Sequence, residues 1–274
     1  MSESSLYLSI TPVKSAEIPA EDAIIKAGKE LLESTSSWKQ GKVYQHNTVK
    51  TSSRSKGPKD GAGWYCRVSE HAKEDATFEQ FWSKLGQNKA ENEMQYMPEI
   101  KKVTLIKRIS DTQSVWTLFY HFPPPVSPRV FTVVQTTWLS TDSPRTGLIV
   151  SLPVDVSDNA DFAKLEESGV KGRYVSVERL RELENGKVEW CMATSSTPGG
   201  KIPQFVVESS MASTIAKDVA HFLEWLHSQK GKEEAPAEAL AVPAEAAPPT
   251  TAAVPTEVVQ AAQAAGPGAA GTVA

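Results

Sequence analysis

Any chemistry in this chain has to be built from five histidines, two cysteines and a few charged residues set among apolar stretches. A nucleophile needs an adjacent base that a third group orients. The sequence has no Gly-x-Ser-x-Gly, no His-Glu-x-x-His and no Gly-rich phosphate loop. His221 and Glu224 stand at i, i+3 in a helix-periodic stretch, but its apolar stripe runs along the opposite side, so the pair reads as solvated. His221 and His227 are six apart and do not share a face. His121, just before Pro123, reads as a satisfied or exposed histidine, with a polar anchor or acid–base group in a cavity as the alternative. Cys66 and Cys191 read as separate buried small hydrophobes, and no spacing with the histidines suits a metal. No catalytic residue, metal or cofactor is expected.

The elements that would hold these groups are signalled along the chain. Pro19-Ala-Glu-Asp followed by AIIKAGKELLES predicts an amphipathic helix, with acids in its first turn and Ile24, Ala27, Leu31 and Leu32 on one face. WKQGKVYQHNTVKTSS and WYCRVSEH alternate like strands around the loop SRSKGPKDGAG, giving two or three strands. Thr77 with Gln80 predicts a capping box that opens a helix carrying Phe78, Phe81, Trp82 and Leu85, in a region closed by Pro98. From Ile100 to Thr194 six strands follow, and Asn185-Gly186 marks a hairpin between the last two. After Pro203 a long helix is expected, with Ile215, Val219, Phe222, Leu223 and Leu226 on one face and Lys217, Asp218, His221 and Glu224 on the other. Strands joined by hairpins make an antiparallel sheet, and one strongly curved sheet crossed by a long helix is an α+β domain. With enough curvature a cavity remains between the two.

Composition narrows the function classes. Residues 231–274 contain no aromatic residue, and 16 Ala plus 6 Pro make up half of the 44 positions. Such a segment buries too little apolar surface to offset its ordering entropy, so it is expected to be a disordered tail. It carries one Lys and five Glu, which leaves 28 basic and 28 acidic residues in 1–230. A formally neutral body argues against nucleic acid as a partner. The start MSESSLYLSI lacks the basic region and apolar core of a signal peptide, and no stretch approaches a membrane span. The expectation is a cytoplasmic protein in three parts: an N-terminal extension over 1–19, one domain over 20–230 and the tail over 231–274.

This order of elements resembles the StAR-related lipid-transfer (START) domain. FYHFPPPVSPRVFTVVQTTW (119–138) is similar to that family's stretch in which a Pro-rich turn, Ser-Pro-Arg and a strand ending in Trp follow one another. MATSSTPGGKIPQF (192–205) is similar to its segment before the C-terminal helix, with Thr197 where many members have Asp. GRYVSVERLRELENGKVEWCMATSS and IAKDVAHFLEWL look closer still to a mostly fungal START-like family of unassigned function. The resemblance covers about residues 20–228. It implies a helix-grip fold, in which the curved sheet wraps the long C-terminal helix around an internal hydrophobic cavity. It also implies one bound lipid, such as a sterol or a phospholipid, and a helix and nearby loops that open to admit it.

Lipid pockets are mostly apolar with a few polar groups that fix the headgroup. The cavity candidates are Tyr120, Gln135, Thr137, Trp190 and Met192 from strands, and Trp82, Phe205, Met211, Ile215 and Val219 from helices, with ordinary core packing as the alternative for each. Gln135 stands out, because a buried amide needs a partner that a ligand could supply. Arg108, Arg129, Arg173 and Glu178 lie in or beside strands and are expected to face solvent; an inward Arg would favour an anionic headgroup. Pro198-Gly199-Gly200 is either a hinge for the last helix or a tight turn that never moves. Arg54, Lys56, Lys59 and nearby Lys50 make a transient membrane contact conceivable, although Asp60 dilutes the cluster and a solvated loop is the plainer reading. Three functions follow: a lipid- or sterol-binding module for intracellular transfer or sensing, a cavity-based enzyme of cyclase or isomerase type, and an interaction module that uses the tail. Inward ionisable residues with perturbed pKa would favour the enzyme, and an uncharged lining would count against it.

Overall fold

The computed structural model describes residues 6–233, with the side chains of residues 230–233 outside that description. The chain begins with the short strand β1 (Val13–Lys14) and helix α1 (Glu21–Ser34), continued by a 3-10 turn, Thr35–Ser37. Strands β2 (Lys39–Tyr44), β3 (Val49–Arg54) and β4 (Trp64–His71) follow, then helices α2 (Phe78–Leu85) and α3 (Lys89–Tyr96). Next come β5 (Ile100–Arg108), β6 (Gln113–Tyr120), β7 (Arg129–Ser140) and β8 (Thr146–Asp155). A single turn of helix, α4 (Ala160–Ala163), and a two-residue strand, β9 (Val170–Lys171), lead to β10 (Arg173–Glu182), β11 (Val188–Thr197) and the long helix α5 (Gln204–Glu233).

The sheet runs β2-β3-β4-β11-β10-β8-β7-β6-β5, and each of these neighbouring pairs is antiparallel. β1 adds to β8 and β9 to β7 in parallel. The chain therefore folds as the α+β helix-grip arrangement, with one large sheet and a long C-terminal helix. α1 packs on one face of the sheet, against β7, β8 and β10, and α5 lies on the other, against β2, β3 and β4. We call these the outer and inner faces. No helix among the described residues is long and apolar enough to cross a membrane.

Three local readings need correction. The region between Thr77 and Pro98 holds two helices, because Asn88 takes a left-handed φ of 50° and breaks the run just after Gly86. The Thr77 capping box itself is present. Of the two or three strands expected around the SRSKGPKDGAG loop, three form: WKQGKVYQHNTVKTSS is itself a hairpin, since Gln45, His46 and Asn47 all take positive φ and reverse the chain. The described part of the expected N-terminal extension, residues 6–19, packs on the domain: Leu8 and Ile10 are buried in the outer core and β1 pairs with β8. Gly231 to Glu233 continue α5, and the remainder of the expected tail lies outside the described residues.

The outer face is one apolar cluster. Alternation along the strands sends Cys66, Val134, Val150, Val175, Val177 and Cys191 to this side, where Ile24, Ile25, Ala27 and Leu32 of α1 cover them. A fully buried aliphatic side chain contributes about 1.5–3 kcal/mol. The two thiols are not separate, as expected from the sequence, but lie 3.7 Å apart across β4 and β11. The inner apolar residues form three smaller clusters, centred on Phe81 and Phe222, on Tyr120 and Phe131, and on Met192 and Met211.

Candidate functional site

The same alternation that sends Val177 outward sends Glu178 inward, and it turns Arg67, Ser69 and His71 of β4 to the inner face. Lys89, the first residue of α3, is placed by the left-handed Asn88. Its Nζ lies 2.6 Å from Glu93 Oε1 and 2.8 Å from Glu178 Oε1, and all three side chains are buried. Trp190 Nε1 donates to Glu178 Oε2 at 3.0 Å. The Arg67 guanidinium stacks over the Trp190 ring at 3.9 Å, and its Nη2 approaches Met192 Sδ at 3.9 Å. Arg67 is 1% exposed, yet its Nε and Nη1 have no partner. Asp218 of α5 is 2% exposed and neither of its carboxylate oxygens has one. Tyr120 Oη, Tyr174 Oη, Gln135 Nε2 and Ser151 Oγ are also buried without a well-formed hydrogen bond, although Tyr174 faces Ser151 and Gln135. Buried polar atoms are normally paired, so this group of orphans makes the inner face the candidate site.

Electrostatics separates the carboxyls. Burial lifts Glu93 to about 7 and Glu178 pushes the same way, against the pull of Lys89. Burial also lifts Asp218 well above the usual carboxylate range, with Arg67 opposing and Glu93 and Glu178 adding to the rise. Glu178 stays low, because Lys89, Arg67 and the Trp190 N–H outweigh its burial. His71 is pushed down to about 4 by burial and by Arg67, so its ring, 2.8 Å from Ser69 Oγ, is neutral at pH 7. The interior therefore holds Lys89 between Glu178, whose carboxyl stays low, and Glu93, raised to about 7, with the raised Asp218 in the same interior.

Most of the residues expected from the sequence fall here. Tyr120, Gln135, Trp190, Met192, Met211, Ile215 and Val219 are all buried among the inner-face elements. Trp82 and Thr137 sit instead at a cleft of about 460 Å³ between the α2–α3 break and strands β6 and β7, where Gln135 and Lys89 also reach. Phe205 is not a lining residue: it is 72% exposed, since the buried stripe of α5 runs through Val207, Met211, Ile215, Asp218 and Phe222 and leaves position 205 outside it. Asp218 belongs to that stripe and not to the solvated face, with His221 half-buried and Glu224 exposed. Glu178 and Arg129 are buried, contrary to expectation, while Arg108 and Arg173 are exposed.

Arg129 explains the Pro-Gly-Gly turn. Its Nε donates to the Pro198 carbonyl at 3.2 Å and its Nη1 to the Ser127 carbonyl. Gly199 and Gly200 take φ of 65° and 66°, and a Cβ on Gly199 would clash with the Lys171 carbonyl. Close packing and positive φ account for both glycines. Asp60 was expected to dilute a basic loop, but it is buried and organises that loop. It accepts from Tyr7 Oη at 2.6 Å, Trp64 Nε1 at 3.0 Å and Arg54 Nη2 at 3.2 Å.

Sequence reasoning missed Arg67, Lys89, Glu93 and Asp218. A signal existed for two of them. Arg67, Ser69 and His71 alternate in WYCRVSEH, and Met211, Ile215, Asp218 and Phe222 follow a 4-3-4 spacing that places the aspartate on the apolar stripe.

Residues 64–226 match the family model described as "Protein of unknown function (DUF3074)". The chain belongs to that family. The matched span runs from the start of β4 nearly to the end of the described α5, so it contains the whole inner-face polar set. No curated protein sequence matches the chain. Among solved structures, the fold is similar to that of human STARD10, at a TM-score of 0.65 and 11% identity, covering 80% of this chain and 84% of that one. It is also similar to human StAR-related lipid transfer protein 5, at 0.63 and 17%, covering 77% and 96%. A StAR-related lipid transfer protein from Xanthomonas axonopodis gives 0.52 and 19%, covering 70% and 97%. These likenesses establish a START-like fold for this member of the family.

Proposed function

We propose that the chain binds one hydrophobic ligand, of lipid or sterol class, between the inner face of the sheet and α5, and that it serves intracellular lipid transfer or sensing. The observation that carries this reading is the set of orphaned polar atoms on Arg67, Asp218, Tyr120, Tyr174, Gln135 and Ser151, flanked by three apolar clusters. A small number of convergent polar groups in apolar surroundings is what fixes an amphiphile's orientation. The names of two structural relatives point the same way, since each is called a lipid transfer protein. Action in the cytoplasm with brief membrane contact belongs to this proposal. The exposed Phe205 beside Arg54 and Lys56 offers an apolar tip with basic neighbours for such contact. The test is native mass spectrometry of freshly purified protein, followed by solvent extraction. A stoichiometric co-purified lipid is the expected result, and a bare chain that takes up no lipid from a mixed extract contradicts it.

One observation favours a second reading. Inward ionisable residues with shifted pKa were the feature that would distinguish a cavity-based enzyme, and Glu93 at about 7 with Asp218 raised well above the usual carboxylate range gives one interior two perturbed carboxyls. We rank this cyclase- or isomerase-type activity second, because burial, the largest cause of both shifts, produces them without any reaction. Turnover of a hydrophobic carbonyl compound that is lost in Glu93→Gln would promote it. The use of the tail as an interaction module concerns residues outside the described ones.

A further inference from the structure

The cleft of about 460 Å³ at the α2–α3 break opens to solvent and reaches the inner-face residues Lys89 and Gln135 at its floor. Its walls combine flat apolar surface from Trp82 and Trp116 with short polar side chains, Asn88, Ser114 and Thr137. Gln135 is 6% exposed, and its Nε2 is a donor without a partner within this lining. Charge is balanced. Lys89 is held by Glu93 and Glu178, and the exposed Arg108 and Asp111 both line the cleft, so its formal charges cancel and no cation is buried at its floor unpaired. Indole faces beside uncharged donors and acceptors suit a ring with an apolar C–H face and hydroxyls around its edge.

We propose that this cleft binds a neutral polyhydroxylated ring, a sugar or cyclic polyol, with Gln135 Nε2 donating to one of its oxygens. In its lipid form the ring is the headgroup of an amphiphile whose chain lies along the inner face, and this part rests on the function proposed above. The same chemistry in a free sugar would need the cleft alone.

The test uses the full chain and four probes of equal chain length, decyl glucoside, decanol, decanoate and decyl phosphocholine, each below its micelle concentration, with glucose as a fifth. Binding is followed by calorimetry. Decyl glucoside is expected to bind about tenfold or more tighter than decanol, a ratio equal to one well-made hydrogen-bonded group. Gln135→Leu is expected to erase that ratio by weakening decyl glucoside, and Ser114→Ala, at a half-buried wall position, to reduce it. Thermal melts establish that both variants are folded. Equal binding of the glucoside and decanol overturns the headgroup site and leaves the hydrophobic reading standing, as does preference for decanoate or decyl phosphocholine. Glucose binding as tightly as decyl glucoside supports the cleft and counts against the lipid reading.

Discussion

The two faces of one sheet differ more than any two elements of this molecule. On the outer face, Val134, Val150, Val175 and Val177 meet the apolar stripe of α1 in a single cluster. One residue away on the same strands, Gln135, Ser151, Tyr174 and Glu178 turn to the inner face, and each of the first three carries a buried atom without a well-formed hydrogen bond. Strand alternation alone generates both surfaces, so the contrast lies in the choice of side chains and not in the backbone. The outer face is built for stability. The inner face gives up stability at identifiable atoms, and such concessions collect where a protein does its work.

The largest effect should come from breaking the buried ionic network of Lys89, Glu93 and Glu178 on the inner face. Lys89→Met leaves Glu178 and Glu93 buried without their cation, and about 3–5 kcal/mol of stability should be lost, measurable by urea denaturation. If the midpoint hardly moves, the interior is wetter than described. On the outer face, Ile24→Ala removes a fully buried side chain from a tightly packed layer, and a loss of about 2–5 kcal/mol is expected, with no change in ligand retention. Asp218→Leu should act in the opposite sense. It removes an unpartnered buried carboxyl, so the ligand-free protein gains about 1–3 kcal/mol while ligand binding weakens. A destabilised Asp218→Leu variant would show that the aspartate serves the fold and not the site.

The smallest effect is a pH dependence. Glu93 titrates at about 7 in the folded chain and near 4.3 when unfolded. Between those values the folded state holds the extra proton, so this group's contribution favours folding at the acid end and is lost as pH rises toward 7. Asp218, also raised, acts with the same sign. The depressed His71 acts oppositely, its contribution being lost as pH falls below its ordinary value toward 4. Comparing melting temperature against pH for the wild type and Glu93→Gln isolates the first contribution. The variant's curve should be flatter between about pH 4.5 and 7, and parallel curves would remove Glu93 from the account.

The fold was readable because its signals are local. Thr77 with Gln80 announces a cap, Asn185-Gly186 a hairpin, and the paired apolar stripes of the first and last helices two covered faces. The α2–α3 break was less visible, because it depends on one left-handed residue, Asn88, whose side chain is common in ordinary helices' flanks too. The site was half legible. Apolar residues such as Trp190, Met211 and Ile215 follow from periodicity, whereas Lys89 and Glu93 do not, since charged residues on a short helix face water by default. Lys89 pairs locally with Glu93, but its second partner is Glu178, 89 positions along the chain, and a contact of that range leaves no local trace. Phe205 failed for the converse reason: an aromatic near a helix start looks buried until the register of the stripe is fixed.

The central claim is that the orphaned atoms of the inner face await a ligand and not only water. The direct measurement is a high-resolution crystal structure of the full chain after incubation with a total lipid extract. The account predicts one continuous non-protein molecule between the sheet and α5, in contact with Arg67 and Asp218. Separate waters pairing each of these groups, with no molecule spanning the space, would contradict it.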